Sequence, residues 1–257
     1  MLFKIINTYK LQGLKGLLIR IIRYPFYKII RAKAYKEIFK NTNPKNTFTN
    51  IYKYNWWGSE ESISGVGSTI ENTEEIRNNL SKLFFKYKIK TIFDGPCGDF
   101  NWMKILLAKH KLYYIGWDIV DEVIEANKYL YSNTRTKFEA KSIMTCKVPK
   151  ADIWLCRDCF IHFSYLDIHK TLQNFLKSNI PYILFSTYKN DRNFKNHDIQ
   201  TGDARVLNFF IFPFDFKQNF DEIIKDDKVA GVQKYLVMFS REEISKSIDT
   251  FYSNIKK

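Results

Sequence analysis

The chain has 257 residues, which suits one α/β domain with appendages or two small domains. Hydrophobic residues make up 45% of it and aromatic residues 17%, so a full apolar core can form and disorder is not the default. The net charge is +14, and the four cysteines (Cys97, Cys146, Cys156, Cys159) are too few and scattered for a secreted disulfide framework, so a reducing cytoplasm is the expected setting.

Residues 1–40 carry +9 of that charge, with ten Lys/Arg against the single acid Glu37. Basic residues alternate there with Leu, Ile, Phe and Tyr at helical spacing. The spacing predicts one or two amphipathic basic helices, broken near Pro25. No uncharged span reaches transmembrane length and no cleavage site follows an apolar core, so neither a span nor a signal peptide is expected. Two readings of the apolar face stay open: peripheral contact with an anionic membrane at its inner face, or packing on protein.

Asn41 to Asn46 is rich in turn formers and predicts a linker, dividing a helical extension (1–45) from the main domain (46–257). An aromatic and glycine-rich stretch follows, containing Trp56-Trp57 and Ser64-Gly65-Val66-Gly67-Ser68. The tryptophans suit either stacking on a ligand or sealing the sheet edge, and the Ser/Gly run either an anion contact or a flexible loop. A helix is predicted from Thr73, as its cap, to about Tyr87, with Glu74 and Glu75 in its first turn. On that helix Arg77 suits solvent better than a ligand carboxylate.

Strand and helix patterns then alternate. Strands are predicted at Thr91–Asp94, Tyr113–Asp118, Lys137–Ala140, Ala151–Cys156, Tyr182–Thr187 and Lys234–Phe239. Helices are predicted at Asn101–His110, Glu122–Tyr131 and Tyr165–Leu176. This order predicts a Rossmann-like, doubly wound, mostly parallel sheet. Tyr188 to Lys228 has no clear pattern, and a loop this long suits a lid or binding segment.

In such sheets a nucleoside ligand binds where the first strand turns into its helix, on a tight turn needing glycine. Asp94-Gly95-Pro96-Cys97-Gly98-Asp99 supplies that turn. Asp118, twenty-four residues after Asp94, ends the next strand where an acid would accept hydrogen bonds from ribose hydroxyls, with Ile119 beside it.

Asp94 to Phe100, with Trp102-Met103 behind, resembles motif I of the class I S-adenosylmethionine (SAM)-dependent methyltransferases. It is most similar to a bacterial subgroup written D-x-P-C-G-D-F-x-W-M, whose members often modify surface polysaccharides and other glycans. The resemblance runs from about Tyr52 to Phe239. It includes Glu61 to Ser68, Cys156 to Phe163 and Thr201 to Asn208. The broad class carries three glycines in this motif; here Pro96 and Phe100 stand at the outer two and Gly98 remains. Pro96 has no amide to offer a pyrophosphate, which disfavours a nicotinamide cofactor, whereas SAM has no phosphate.

The resemblance implies SAM as cofactor, held by Asp94 to Asp99, Asp118, Ile119, Cys156 and Arg157. It implies an acceptor site drawing on Trp57, Asp203, Arg205 and Asn208. His162 and Asp158 leave the fourth strand at the edge where ligands sit, and either can be the base that a hydroxyl acceptor requires. The alternatives are a histidine bonded to a backbone carbonyl and an Arg157–Asp158 ion pair that fixes the loop. Cys156, Cys159 and His162 show no fourth metal ligand, so no metal is expected. The leading expectation is O-methylation of a sugar or glycan precursor in capsule or other surface-polysaccharide biosynthesis. The pI of about 9.4 motivates an RNA methyltransferase as rival, but the charge lies in the tail and no RNA-binding motif appears, so nucleic acid is not the expected partner. A third reading is a non-catalytic, membrane-surface scaffold on a methyltransferase fold; the retained Asp94, Gly98 and Asp118 argue against it.

Overall fold

A seven-stranded sheet in the order β3-β2-β1-β4-β5-β7-β6 organises the chain. The strands are β1 (Thr91–Asp94), β2 (Tyr113–Asp118), β3 (Thr136–Ala140), β4 (Ile153–Cys156), β5 (Tyr182–Tyr188), β6 (Glu222–Val229) and β7 (Val232–Ser240). The structure, a computed structural model, describes residues 28–40, 42–189, 193–217, 220–229 and 232–256. The helices and break predicted over residues 1–27 lie outside these; residues 28–39 are helical and form α1.

β1 to β5 pair in parallel, β7 runs antiparallel to β5, and β6 antiparallel to β7. β1 and β4 are short apolar runs because both faces are covered. One face packs on α3 (Glu74–Lys86), α4 (Met103–Ala108) and α5 (Asp121–Tyr131), through Leu80, Leu83, Met103, Leu106 and Ile124. The other packs on α6 (Tyr165–Lys177) and α7 (Arg241–Ile255), through Leu172, Phe175, Ile248 and Phe251. The result is the doubly wound sheet expected, and the parallel strands point their carboxyl ends at one edge.

Two local expectations are corrected. Asn43 to Asn46 form a helix start rather than a linker. Asn43 accepts from the amides of Lys45 (2.9 Å) and Asn46 (3.4 Å), and Pro44 opens α2 (Pro44–Lys53). Proline at the first helical position loses no hydrogen bond, so the signal read as a turn is equally a cap. The boundary drawn at residue 45 therefore falls in the first turn of α2, and Ile38 of α1 packs on Ile51 of α2. Thr73 precedes α3 but does not cap it with its side chain, because its hydroxyl donates to Thr69 O (2.7 Å) and receives Arg77 Nη1.

The unpatterned segment resolves into an irregular stretch, residues 193–217, and the strand β6. Phe209, Phe214 and Phe216 are buried against Phe185, Phe239 and Phe251. They are core. β6 escaped prediction because it is polar, with Glu222, Lys225, Asp226 and Lys228 along eight residues.

Candidate active site

β1 hands the chain to α4 through the turn that the sequence singled out. Gly98 has φ of +54°, and a Cβ there would collide with the Ser64 hydroxyl, so glycine is needed on two counts. Phe100 also sits in the left-handed region, at φ of +59°, where the broad class keeps a glycine. That conformation costs about 1–2 kcal/mol. Burying the ring among Tyr114, Tyr131 and Phe138, at centroid distances of 5.0, 5.2 and 5.1 Å, offsets it.

The turn borders two lobes of one cleft at the carboxyl edge of the sheet, about 520 and 550 Å³, which share Pro96, Asp118 and Asp158. The first lobe is walled by Ile119, Ser142, Ile143 and Met144 on one side and by Phe48, Cys159, His162 and Phe163 on the other. The second takes in Trp57, Ser64, Asp94, Cys97, Gly98, Asp99, Trp102 and Arg157.

Asp118 accepts from the amides of Gly98 (3.1 Å) and Val120 (3.0 Å), one on each oxygen. The Ile119 amide also bonds to the carboxylate, and a carboxylate's four acceptor sites leave room for a further donor. Burial raises its pKa, against the pull of those amides. Asp94 is more enclosed: burial pushes its pKa up to about 7, although the Tyr114 hydroxyl donates to it at 2.6 Å. Asp99 works on the protein itself, accepting from the Ile63 amide (3.0 Å) and the Ser62 hydroxyl (3.1 Å), so the Ser/Gly loop is pinned rather than flexible. Gly95 and Cys156 lie outside the lining. A Cβ on Gly95 would come within 2.7 Å of Ile143, and Cys156 is fully buried in β4.

Arg157 and Asp158 belong to a buried ionic cluster that the sequence did not reveal. Arg157 grips Asp226 with Nε at 2.7 Å and Nη2 at 2.9 Å, and Nη2 also donates to Gly67 O (2.9 Å). Lys234 Nζ lies 2.6 Å from Asp158 and 3.3 Å from Asp226. Ser186 Oγ donates to Asp158 at 2.9 Å. Burial alone would raise the Asp158 pKa, but Arg157 and Lys234 outweigh it and hold the carboxyl well below its usual range. A carboxylate so stabilised is a weak base, and the predicted Arg157–Asp158 pair is present at 3.3 Å. The clue in the sequence was Lys234, a lysine inside an apolar strand.

His162 keeps the properties of a base. Its Nδ1 lies 2.8 Å from Asp203 O. A carbonyl only accepts, so Nδ1 carries the hydrogen and Nε2 presents a lone pair in the neutral ring. Burial lowers the pKa of the ring, with the Asp203 bond opposing. Trp57 packs on the imidazole at 4.9 Å between centroids. The carbonyl-bonded reading of His162 is thus the one present, and that bond leaves the second ring nitrogen without a proton.

Of the other acceptor candidates, Asp203 contributes its carbonyl rather than its carboxylate, and Arg205 is buried beside the cleft rather than lining it. Asn208 serves its own loop, accepting from the Phe210 amide at 2.9 Å. Arg77 donates to Ile70 O at 2.7 Å and stays outside the cleft. Phe48, Ser142, Ile143 and Met144 were not anticipated, because α2 and the stretch after β3 carry no motif. Among the described residues, no group of three or more His, Cys, Asp or Glu is placed to hold a metal ion, and no helix is long and apolar enough to cross a membrane.

The sheet order, the antiparallel β7 and the cleft at the carboxyl edge define the fold of the class I SAM-dependent methyltransferases. A SAM-dependent methyltransferase from Leishmania major aligns with TM-score 0.57 and 14% identity over 77% of this chain and 85% of its own. Magnesium protoporphyrin IX methyltransferase from Synechocystis PCC 6803, with bound S-adenosylhomocysteine (SAH), gives TM-score 0.53 and 10% identity over 76% and 98%. The same enzyme with bound SAM gives 0.52 and 9% over 76% and 96%. At these identities the likeness is one of fold. No family model and no curated protein matches the sequence.

Proposed function

We propose that this protein is a SAM-dependent methyltransferase that methylates a hydroxyl of a sugar or glycan precursor, in capsule or other surface-polysaccharide biosynthesis. The observation that carries O-methylation is the tautomer of His162. A neutral imidazole, oriented by Asp203 O and lining the same lobe as Asp118, can accept the proton that an attacking hydroxyl sheds. The chain's own residues fit the donor: the Gly98 turn lets the backbone approach closely, Asp118 retains room for a ribose hydroxyl, and Ile119, Ile143 and Met144 give a nucleobase an apolar wall. SAM, when bound, supplies a methyl group on a sulfonium. Asp158, fixed by Lys234 and Arg157, is assigned to positioning and His162 to proton transfer. The work is placed in the cytoplasm, where a glycan precursor would be met.

The direct test supplies radiolabelled SAM with nucleotide sugars, capsule fragments and RNA. Label in a sugar hydroxyl is expected. Label in RNA alone, or no SAM binding by calorimetry, would sink the proposal.

A further inference from the structure

Arg205 is 6% exposed, and a guanidinium that deep normally meets a carboxylate. This one does not. Its Nε and Nη2 have no hydrogen-bond partner, and Nη1 only reaches Ile161 O at 3.5 Å. The hydroxyl of Tyr165, whose ring centroid lies 5.2 Å from the guanidinium carbon, is also without a partner. The nearby acids are engaged elsewhere: Asp198 accepts from the Tyr165 and Ile199 amides, and Asp203 from the Ala204 amide. Burial lowers the Arg205 pKa to about 10, so the group is still charged at neutral pH.

The two vacant N–H groups share one edge of the planar guanidinium, the edge that takes two oxygens of a carboxylate or phosphate side by side. The chain around it is laced to the base. Gly202 N donates to His162 O at 2.7 Å, Arg205 N to Ile161 O at 3.1 Å, and His162 Nδ1 to Asp203 O at 2.8 Å. Asp203 and Ala204, next to Arg205 on the turn that orients the imidazole, are exposed, while the Arg205 Nε and Nη2 atoms themselves are buried.

We propose that the Arg205 edge and the Tyr165 hydroxyl receive an oxyanion, carboxylate or phosphate, carried by the acceptor whose hydroxyl meets His162. This rests on the methyltransferase reading for the word acceptor, though not for the anion site itself. The acceptor is then an acidic sugar or a sugar phosphate, and a neutral sugar lacks the anchor.

The test uses the full chain with SAH present, and follows inorganic phosphate, glucuronate and glucose by calorimetry and thermal melting. Phosphate or glucuronate should bind and raise the melting temperature while glucose does neither, and comparing the two anions tells carboxylate from phosphate. Arg205→Met should lose at least about tenfold in affinity for that anion, the worth of one charge-assisted hydrogen bond, with SAH affinity unchanged. Arg205→Lys, which keeps charge without the paired edge, should lose most of it too. Failure of both anions to bind the natural protein, or equal anion binding by the Met variant, would each overturn the site. Failure of SAH to bind would instead count against the methyltransferase reading and leave the anion titration to be judged separately.

Discussion

The two sides of the cleft are built by different means. The side holding Asp94, Gly98 and Asp118 comes from two consecutive strand–helix turns, and its contacts stay within β1, β2 and the turns after them: Gly98 N to Asp118, Val120 N to Asp118, Tyr114 to Asp94. The side holding Asp158 and His162 depends on groups far along the chain: Ser186 from β5, Asp226 from β6, Lys234 from β7, and Asp203 from the irregular stretch. A ligand side made of local turns changes little when distant strands change. A side made of distant ion pairs couples its geometry to the packing of the whole antiparallel end of the sheet.

The sharpest way to separate the two sides is His162→Gln, expected to cut turnover about a hundred- to ten-thousandfold while SAM affinity stays near normal. Initial rates and calorimetry on the same preparation check it. Its pH profile is the second handle. Because burial depresses the imidazole pKa, the midpoint of the acid limb of activity should lie below pH 6.5 as the ring protonates.

Lys234→Met attacks the distant construction. It leaves Asp158 and Asp226 short of a buried cation and should cost about 3–5 kcal/mol in denaturant unfolding. A loss under 1 kcal/mol would mean that the cluster tolerates an unpaired acid and that the comparison is drawn too sharply.

Asp94 probes the local side through pH. Its folded pKa of about 7 lies above the ordinary value of 3.8, so the ionised form is penalised in the folded state. The unliganded protein should therefore gain stability as pH falls through 7 toward 4, by at most about 4 kcal/mol from this group. Asp94→Asn should raise the melting temperature above pH 7 and flatten that dependence; an unchanged profile would refute the assignment.

The smallest effect is expected at Asp118→Asn, which keeps one acceptor oxygen. Losing charge-assisted bonds should weaken SAM by about ten- to a hundredfold, through about 1.5–3 kcal/mol, with little change in turnover at saturation. Unchanged SAM affinity would remove Asp118 from the ribose site.

The limits of β1 and β2, the end of β4 and the glycine turn after β1 were legible in the sequence, because an apolar run closed by a turn and an acid is a local pattern. α2 was misread because Asn43-Pro44 serves as well for a turn as for a cap, and only the amides of Lys45 and Asn46 decide between them. β6 was illegible for the reason that makes it useful. Asp226 is buried by Arg157 and Lys234 rather than by its own apolarity, and no pattern within the strand announces those partners.

What the sequence by itself determined is the alternation of strands and helices from β1 to β5, the turn at Gly98 and the acid at Asp118, since each is marked by a residue pattern within its own segment. The tertiary structure decided which of two candidate bases keeps a usable lone pair, and which arginine is paired. Asp158 and His162 look equivalent along the chain. A lysine seventy-six residues after Asp158 suppresses its basicity, and a carbonyl forty-one residues after His162 fixes the hydrogen on Nδ1 and frees Nε2. Proton affinity is set by charges and dipoles within a few ångströms, and chain distance carries no record of them.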